Sequence, residues 1–262
     1  MRLDGKVALL TGASEGIGAA LAIVLRQRGA RLSLVARNHE KLAAIAASED
    51  VVTAADLLDS ANRRTAVQRT IDQFGRIDIL INNAGAGLYA PSHSTPMDQV
   101  RKLWELNFFA PLELIQLAVP YMKQKKDGVI VNVGSIAGKV TLPWFTVYSA
   151  SKYALGSLTD GLRMELASDG IHTMIVCPGY VQTRFQQNVL AGQPPVLTGL
   201  RQRWAITPER CAEDIARGIE RRKRTVVTPG TAWLLVALAR LFPGQVDQQL
   251  TKTYLQQMGM PQ

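Results

Sequence analysis

The chain has 262 residues, 47% of them hydrophobic and 19% charged, which is enough to bury one large core and excludes a disordered protein. Its formal net charge of +9 could attract nucleic acid, anionic lipid or an acidic substrate, but no basic motif interleaved with aromatic residues is present, so no nucleic-acid partner is expected. The two cysteines, Cys177 and Cys211, have neither metal-ligand spacing nor a disulfide framework, which predicts no metal site and a reducing, cytoplasmic compartment.

Strand-like and helix-like segments alternate along most of the chain. The predicted strands are residues 6–11, 31–36, 51–55, 77–82, 128–133, 171–177 and 225–228. The predicted helices are residues 17–28, 40–47, 60–74, 97–123, 146–168 and 208–222. This alternation predicts an α/β fold: a doubly wound parallel sheet, or Rossmann fold, with helices on both faces in three layers.

Domain organisation follows from the same reading: one domain over residues 1–228 and a C-terminal helical extension over residues 229–262. Within the domain, residues 184–206 lack periodicity and follow the sixth predicted strand. Long loops at that edge of such sheets are often functional, so we predict a substrate lid there; an ordinary surface loop is the alternative. The extension carries the apolar run 232–242, which must bury against the sheet, a second subunit, a lipid surface or an apolar substrate.

A glycine-rich turn follows the first predicted strand and opens the first predicted helix. Residues 11–18 read T-G-A-S-E-G-I-G. Glycines let the backbone approach a pyrophosphate closely, and the helix N-terminus offers it unpaired N–H groups. The turn therefore predicts dinucleotide binding, with contacts from Gly12, Ser14, Glu15, Gly16, Ile17 and Gly18.

The end of the second predicted strand bears on the type of dinucleotide. A site for NAD would place an acid there, whereas this chain has Ala36-Arg37-Asn38. The guanidinium of Arg37 can pair with a 2′-phosphate, which favours NADP(H). Against this, Glu15 is unfavourable beside a phosphate unless it points away, and Arg37 could be an ordinary exposed arginine.

Tyr148 and Lys152 are four residues apart on a predicted helix and so share one face. A neighbouring ammonium stabilises a phenolate, so we expect the pKa of Tyr148 to be lowered from its usual value near 10. Such a pair can donate or accept a proton. Ser135, which ends the fifth predicted strand, would lie at the same edge of the sheet and could hold a substrate oxygen, although it could also be a simple turn residue.

Asn107 lies in the middle of a predicted helix, where asparagine is a poor choice. Pro111, four residues on, has no N–H, so the backbone carbonyl of Asn107 loses its helical donor. A freed carbonyl inside a protein needs another partner such as water. A local rule broken in this way often marks a functional site.

Together these motifs resemble the short-chain dehydrogenase/reductase family. The resemblance covers about residues 5–228 and adds N-N-A-G at Asn82–Gly85 and the pair Pro178-Gly179. Any one motif is weak, whereas the ordered set is specific. One departure concerns Glu15, which stands where many NADP-using members carry a basic or small residue.

The resemblance implies a hydride exchanged between a nicotinamide and a carbonyl or alcohol carbon. Tyr148 would be the general acid or base, Ser135 would position the substrate oxygen, and Lys152 would lower the tyrosine pKa and bind the nicotinamide ribose. The carbonyl of Asn107 would hold a water linked to Lys152. The remaining cofactor contacts would come from Asp56 at the adenine, from Asn83, Ala84 and Gly85 on the adenosine side, and from Pro178, Gly179, Val181 and Thr183 around the nicotinamide amide.

The predicted function is an NADP(H)-dependent oxidoreductase that interconverts a carbonyl and a secondary alcohol. Trp144, Phe145, Trp204 and Trp233 would enlarge an apolar pocket, which favours a bulky hydrophobic or lipid-like substrate. Two alternatives stay open: a 3-oxoacyl-carrier-protein reductase, whose acidic carrier would meet the basic surface, and a non-catalytic NADP-binding regulator. We also expect a homodimer or homotetramer, with peripheral membrane contact as an option for the extension.

Overall fold

The computed structural model describes residues 1–192 and 205–257. Its strands form one seven-stranded sheet in the order β3-β2-β1-β4-β5-β6-β7, and every neighbouring pair is parallel. The strands are β1 (Val7–Thr11), β2 (Arg31–Ala36), β3 (Val51–Ala54), β4 (Ile79–Asn82), β5 (Gly128–Val133), β6 (Ile171–Pro178) and β7 (Thr225–Thr228). These bounds lie within two residues of the predicted ones, because most strands are short runs buried on both faces; β3, at the edge of the sheet, is partly exposed.

Helices cover both faces of the sheet. They are α1 (Gly16–Gln27), α2 (His39–Ile45), α3 (Ser60–Phe74), α4 (Met97–Trp104), α5 (Ala110–Lys125), α6 (Thr146–Glu165), α7 (Pro208–Glu220), α8 (Ala232–Leu241) and α9 (Pro243–Gln257). One face packs against α1 and α7, and the other against α3, α5 and α6. The predicted three-layer, doubly wound fold is confirmed.

The prediction of one continuous helix over residues 97–123 is wrong. A π-helical turn, Glu105–Phe109, separates α4 from α5, and Pro111 lies in the first turn of α5. Because Pro111 has no N–H for the carbonyl four residues earlier, the regular hydrogen-bond ladder cannot continue through this point. Such π turns are frequent at functional sites.

The carboxyl ends of the strands define where a ligand can bind. The chain builds the sheet outward from β1 to β3, then returns to pair β4 on the other side of β1. Ligands in open α/β sheets bind at this switch point. The glycine-rich turn after β1 and the segments after β4, β5 and β6 all meet there.

The helix α8 buries little of its apolar surface in the described part of the chain. Val236 is the one residue of this helix that is fully buried. Large side chains on the outward arc are exposed: Trp233, Leu234, Leu238, Leu241 and the following Phe242. We call these five residues the α8 apolar arc. No helix among the described residues is long and apolar enough to cross a membrane.

Candidate active site

The glycine-rich turn packs directly against the segment that follows β4. Gly12 has a positive φ of 64°, and a side chain there would place its first carbon 2.8 Å from the Cα of Ala84. The same carbon at Gly18 would lie 2.1 Å from the carbonyl oxygen of Gly12. The side-chain amide of Asn83 donates to the carbonyls of Thr11 and Gly12 at 3.0 and 3.1 Å. The turn is therefore held close to the N-N-A-G segment, as expected for a phosphate cradle.

The start of α1 faces this cradle. Glu15 precedes the helix in an extended conformation and makes no side-chain capping hydrogen bond, so the first N–H groups of α1 are not occupied by a cap. Gly16 has a φ of 55°, and a side chain there would come within 2.9 Å of the methyl carbon of Thr183. Thr183, predicted at the nicotinamide end, thus lies beside the turn. Open glycine backbone and an uncapped helix N-terminus fit a dinucleotide pyrophosphate.

Arg37 is exposed directly after β2, as predicted. The neighbouring Asn38 caps α2 by accepting a hydrogen bond from the backbone N–H of Lys41 at 2.8 Å. The ammonium of Lys41 forms an ion pair with the carboxylate of Glu15. The hydrogen bond from the Lys41 ammonium lowers the pKa of Glu15, and the positive charges of Lys41 and Arg184 lower it further. Asp56 lies exposed after β3, where its carboxylate accepts from the N–H of Leu58 at 3.0 Å.

Asn107 is fully buried in the π turn. Its amide oxygen accepts from the N–H of Ala86 at 3.0 Å, and its amide nitrogen donates to the carbonyl of Ala86 at 3.0 Å and to the hydroxyl of Ser151 at 3.2 Å. The side chain therefore joins the π turn to the segment after β4 and to α6. The sequence singled out this residue through its backbone carbonyl and did not anticipate the role of its side chain.

Lys152 lies buried behind Tyr148. Its ammonium donates to the carbonyl of Val133 at 3.1 Å and lies 5.7 Å from the centre of the Tyr148 ring. A side chain at Gly85 would place its first carbon 3.4 Å from this ammonium and 3.1 Å from the amide oxygen of Asn107. Burial lowers the pKa of Lys152 to about 8. The lysine is thus fixed by its surroundings and carries a charge at neutral pH.

Tyr148 is also buried, with 5% of its surface exposed. Burial raises its pKa to about 12, and a hydrogen bond with the hydroxyl of Ser135 opposes that rise. The predicted lowering of the tyrosine pKa is therefore wrong for this structure, because loss of solvation outweighs the hydrogen bond with Ser135. Ser135 itself is oriented by the N–H of Ala137, which donates to its hydroxyl at 3.1 Å. The structure thus brings Ser135, Tyr148 and Lys152 together, as the sequence predicted.

The segment after β6 runs toward the predicted lid. The N–H of Gly179 donates to the carbonyl of Thr228 at 2.8 Å. This hydrogen bond extends the β6–β7 pairing, in which Pro178 lies opposite Thr228. Val181 forms a β-bridge with Ile206 and so joins the segment just before the predicted lid, residues 184–206, to the last residue of that lid. Residues 193–204, with the predicted pocket residue Trp204, lie outside the described residues.

The described part of the lid is fixed to the segment after β4. The N–H of Leu190 donates to the carbonyl of Gly87 at 2.9 Å, and the N–H of Tyr89 donates to the carbonyl of Ala191 at 3.0 Å. Two backbone hydrogen bonds thus hold residues 190–191 close to the edge of the sheet where the site lies. A substrate lid over residues 184–206 stays a prediction.

Aromatic rings extend from Tyr148 in both directions. We call Tyr89, Phe145, Tyr148 and Phe185 the aromatic row. Phe145 stacks on both Tyr89 and Tyr148 with ring centres 4.0 Å apart in each case, and Phe185 lies 5.9 Å from Tyr148. Trp144, which precedes Phe145 in the chain, stacks on Tyr254 of α9 with ring centres 6.1 Å apart. The sequence indicated Trp144 and Phe145 but missed Tyr89, Phe185 and Tyr254, which lie far from them along the chain.

Comparison with known proteins agrees with this geometry. The family model for short chain dehydrogenases matches residues 6–194. A protein named ketoacyl reductase HetN, from a Nostoc species, is 31% identical over 94% of this chain and 88% of its own. A short-chain dehydrogenase from Sphingobium yanoikuyae in complex with NADPH is 30% identical, with a TM-score of 0.77 over 90% of this chain and 94% of that one. A protein from Burkholderia phymatum in complex with NAD, 24% identical, has the same fold with a TM-score of 0.83 over 92% of this chain and 94% of that one.

The family assignment thus has two independent supports. One is the match over residues 6–194, and the other is the edge of the sheet where the N-N-A-G segment contacts both the glycine-rich turn and Lys152. We conclude that the chain belongs to the short-chain dehydrogenase/reductase family of nicotinamide-dependent oxidoreductases that act on CH–OH groups of small molecules.

Proposed function

We propose that the protein interconverts a ketone and a secondary alcohol on a bulky hydrophobic substrate, with NADP(H) as the hydride carrier. The observation that supports this most directly is the convergence of Ser135, Tyr148 and Lys152, joined to the glycine-rich turn by the N-N-A-G segment. The remaining support comes from the charges near Arg37 and from the aromatic row. A first test is NADPH oxidation by the purified protein with a chain-length series of ketones, with NADH in parallel.

In the proposed reaction the bound nicotinamide supplies or accepts the hydride. The hydroxyls of Ser135 and Tyr148 hold the substrate oxygen, and Tyr148 donates a proton to it as the alcohol forms. Because burial keeps the Tyr148 pKa at about 12, the phenol carries the proton that reduction needs. The Lys152 ammonium, 5.7 Å from the phenol ring centre, stabilises the phenolate that is left. That the carbonyl of Asn107 relays a proton through water stays a prediction.

The choice of NADP(H) rests on charge at the end of β2. Arg37 is exposed there, and the carboxylate of Glu15, which otherwise argues against a 2′-phosphate, lies among the positive charges of Lys41 and Arg184. The similar protein from Sphingobium is in complex with NADPH, which agrees with this choice. We expect Arg37→Ala to raise the KM for NADPH about tenfold or more, since a charge-assisted pair contributes about 1.5–3 kcal/mol. Arg69→Ala, an exposed arginine on α3, is the control; an equal effect on NADH would contradict the assignment.

The hydrophobic substrate class is supported by the aromatic row and its apolar neighbours. Leu88, Leu103 and Ala137 are buried in the same cluster as Tyr148, and Leu142 packs against it. Apolar walls favour substrates whose apolar surface leaves water. In the ketone series, kcat/KM should therefore rise with apolar length. A preference for small polar ketones would contradict this part of the proposal.

A second candidate is reduction of a 3-oxoacyl group on a carrier protein. The relative named ketoacyl reductase and the net charge of +9, which suits an acidic partner, both favour it. The two substrates can be separated by comparing one 3-oxoacyl chain on an acyl carrier protein and on a small thiol. A large gain in kcat/KM from the carrier would support this candidate, and equal values would favour a free lipid-like ketone.

The assembly and location of the protein stay predictions. We expect a homodimer or homotetramer in a cytoplasmic setting. Light scattering on the purified full chain measures the mass directly, and a monomer would contradict the first expectation.

A further inference from the structure

Lys41 pairs with Glu15 at the outer edge of the glycine-rich turn, and the sequence did not single it out. We propose that Lys41 is a second determinant of NADP(H) recognition: its ammonium leaves Glu15 to bind the 2′-phosphate beside Arg37. The inference rests on the proposed use of NADP(H).

The two cations belong to the same connection, between β2 and the first turn of α2. Arg37 follows β2, and Asn38 accepts from the backbone N–H of Lys41 at 2.8 Å, which fixes the start of α2. From there the Lys41 side chain extends to the carboxylate of Glu15, the residue directly before α1. The Lys41 ammonium therefore lies at the turn, and Arg37 lies four residues before Lys41 in the connection from β2 to α2.

The ion pair is exposed enough to exchange. The side chain of Lys41 is 45% exposed and that of Glu15 is 30% exposed. Exposed ion pairs of this kind contribute little to stability, because water solvates both partners. A phosphate ester carries about −1.5 to −2 charges at neutral pH, against −1 for the carboxylate, so it competes well for the same ammonium.

Glu15 keeps other partners if Lys41 moves. The side-chain amide of Asn188, in the predicted lid, lies 3.5 Å from the second carboxylate oxygen of Glu15. The guanidinium of Arg184 acts on the same carboxylate through its charge. Transfer of Lys41 to a phosphate therefore leaves Glu15 between two groups from the lid. Without a 2′-phosphate, Lys41 stays on Glu15 and contributes nothing to the ligand.

The test is direct binding of adenosine fragments to the purified full chain by calorimetry. The probes are 2′,5′-ADP, which carries the 2′-phosphate, and 5′-AMP, which lacks it. Lys41→Met should weaken 2′,5′-ADP about tenfold and change 5′-AMP less than twofold, since one charge-assisted contact is lost. Lys41→Arg should restore most of the affinity. Glu15→Gln should tighten 2′,5′-ADP, because the competing carboxylate is gone. Lys102→Met, an exposed lysine on α4, is the matched control.

Two results would overturn the inference: unchanged 2′,5′-ADP affinity in Lys41→Met, or equal weakening of both probes. The same binding measurements also distinguish the role of Lys41 from the proposed use of NADP(H). If the unmodified protein binds both probes equally, the NADP(H) proposal fails and this inference fails with it. If Arg37→Ala weakens 2′,5′-ADP selectively while Lys41→Met does not, the cofactor proposal stands and the role of Lys41 alone is refuted.

Discussion

Tyr148 and Lys152 lie one turn apart on α6, and burial shifts both toward their uncharged forms. The pKa of the phenol rises to about 12, and that of the ammonium falls to about 8. At pH 7 the phenol is therefore protonated and the lysine charged. Tyr148 can therefore donate a proton as a general acid, and Lys152 supplies a positive charge beside the phenolate that forms.

Removing the phenol hydroxyl tests the proton donor. Tyr148→Phe keeps the ring and its stacking on Phe145, so kcat should fall about 10²–10⁴-fold, as for loss of a general acid, while NADPH still binds. The measurements are steady-state NADPH oxidation and calorimetric binding. Tyr153→Phe, a half-exposed tyrosine on the same helix, should be neutral. Near-normal turnover in Tyr148→Phe would refute the assignment, and binding without turnover in the unmodified protein would favour the regulator alternative.

The lowered pKa of Lys152 makes a stability prediction with a definite sign. Unfolding returns the lysine to its usual pKa of 10.5, so the cost of burying its charge is fully present below pH 8 and is lost as the pH rises from 8 to 10.5. The free energy of unfolding should therefore increase with pH in this window relative to that of Lys152→Met. Between pH 7 and 9.5 we expect a relative gain of about 2 kcal/mol, measured by urea unfolding.

A matched lysine isolates this effect. Lys125→Met changes an exposed lysine at the end of α5, and the difference between it and the unmodified protein should not vary with pH. The pKa of Tyr148 lies above the window, so its titration does not interfere. A Lys152→Met difference that is constant from pH 7 to 9.5 would contradict the buried, charged lysine.

At the scale of elements, the π turn and the segment after β4 act as one unit through Asn107. Three hydrogen bonds from one buried amide connect Ala86, Ser151 and the turn itself. Ser151 in turn donates to the carbonyl of Tyr148 at 2.7 Å. The position of α6, which carries Tyr148, thus depends on the side chain of Asn107 in the π turn.

Replacing that amide by a hydrocarbon should be costly. Asn107→Leu leaves the N–H and carbonyl of Ala86 and the hydroxyl of Ser151 without this partner, and each buried group left unpaired costs about 1–3 kcal/mol. We expect a loss of roughly 3 kcal/mol or more in the free energy of unfolding by urea. Gln68→Leu, at an exposed amide on α3, should change it by less than about 0.5 kcal/mol. Similar values for the two variants would show that the amide is not structural.

Local patterns predicted these elements to different degrees. Strands buried on both faces were readable because each is one apolar run between turn residues. The π turn was not, although Asn107 and Pro111 marked the place, because the backbone can satisfy a lost donor in more than one way. Pairings such as Glu15 with Lys41, or Tyr89 with Phe145, join residues far apart in sequence, and no local period reports them.

At the scale of the whole molecule, a net charge of +9 accompanies the α8 apolar arc. An exposed apolar patch of this kind marks an interaction surface. We propose that the arc lies against an anionic lipid surface, since a basic protein is attracted to such a surface and apolar side chains enter its boundary. The alternative is a second subunit that covers the arc, and the test must distinguish a lipid surface from a subunit interface.

Vesicle co-sedimentation checks the lipid surface. The full chain should sediment with vesicles that contain anionic lipid, and less at high salt, which screens the attraction. A triple variant, Leu234→Gln, Leu238→Gln and Leu241→Gln, should stay in solution. Met97→Gln with Met164→Gln, at exposed methionines elsewhere, is the control. Equal sedimentation of all three proteins would refute the proposal, and a change in mass by light scattering for the triple variant alone would indicate a subunit interface instead.

Both cysteines are deeply buried, Cys177 at 1% and Cys211 at 0% exposure, and burial raises their pKa values to about 11 and about 12. Thiolates are the reactive form, so both native sulfurs are protected from alkylation while the protein is folded. A cysteine introduced at an exposed position, for example Leu241→Cys, would then be the single rapidly reactive thiol. The chain can therefore take a fluorescent or spin label at a chosen point with its native cysteines in place, and the onset of labelling at Cys177 would itself report that the core has opened.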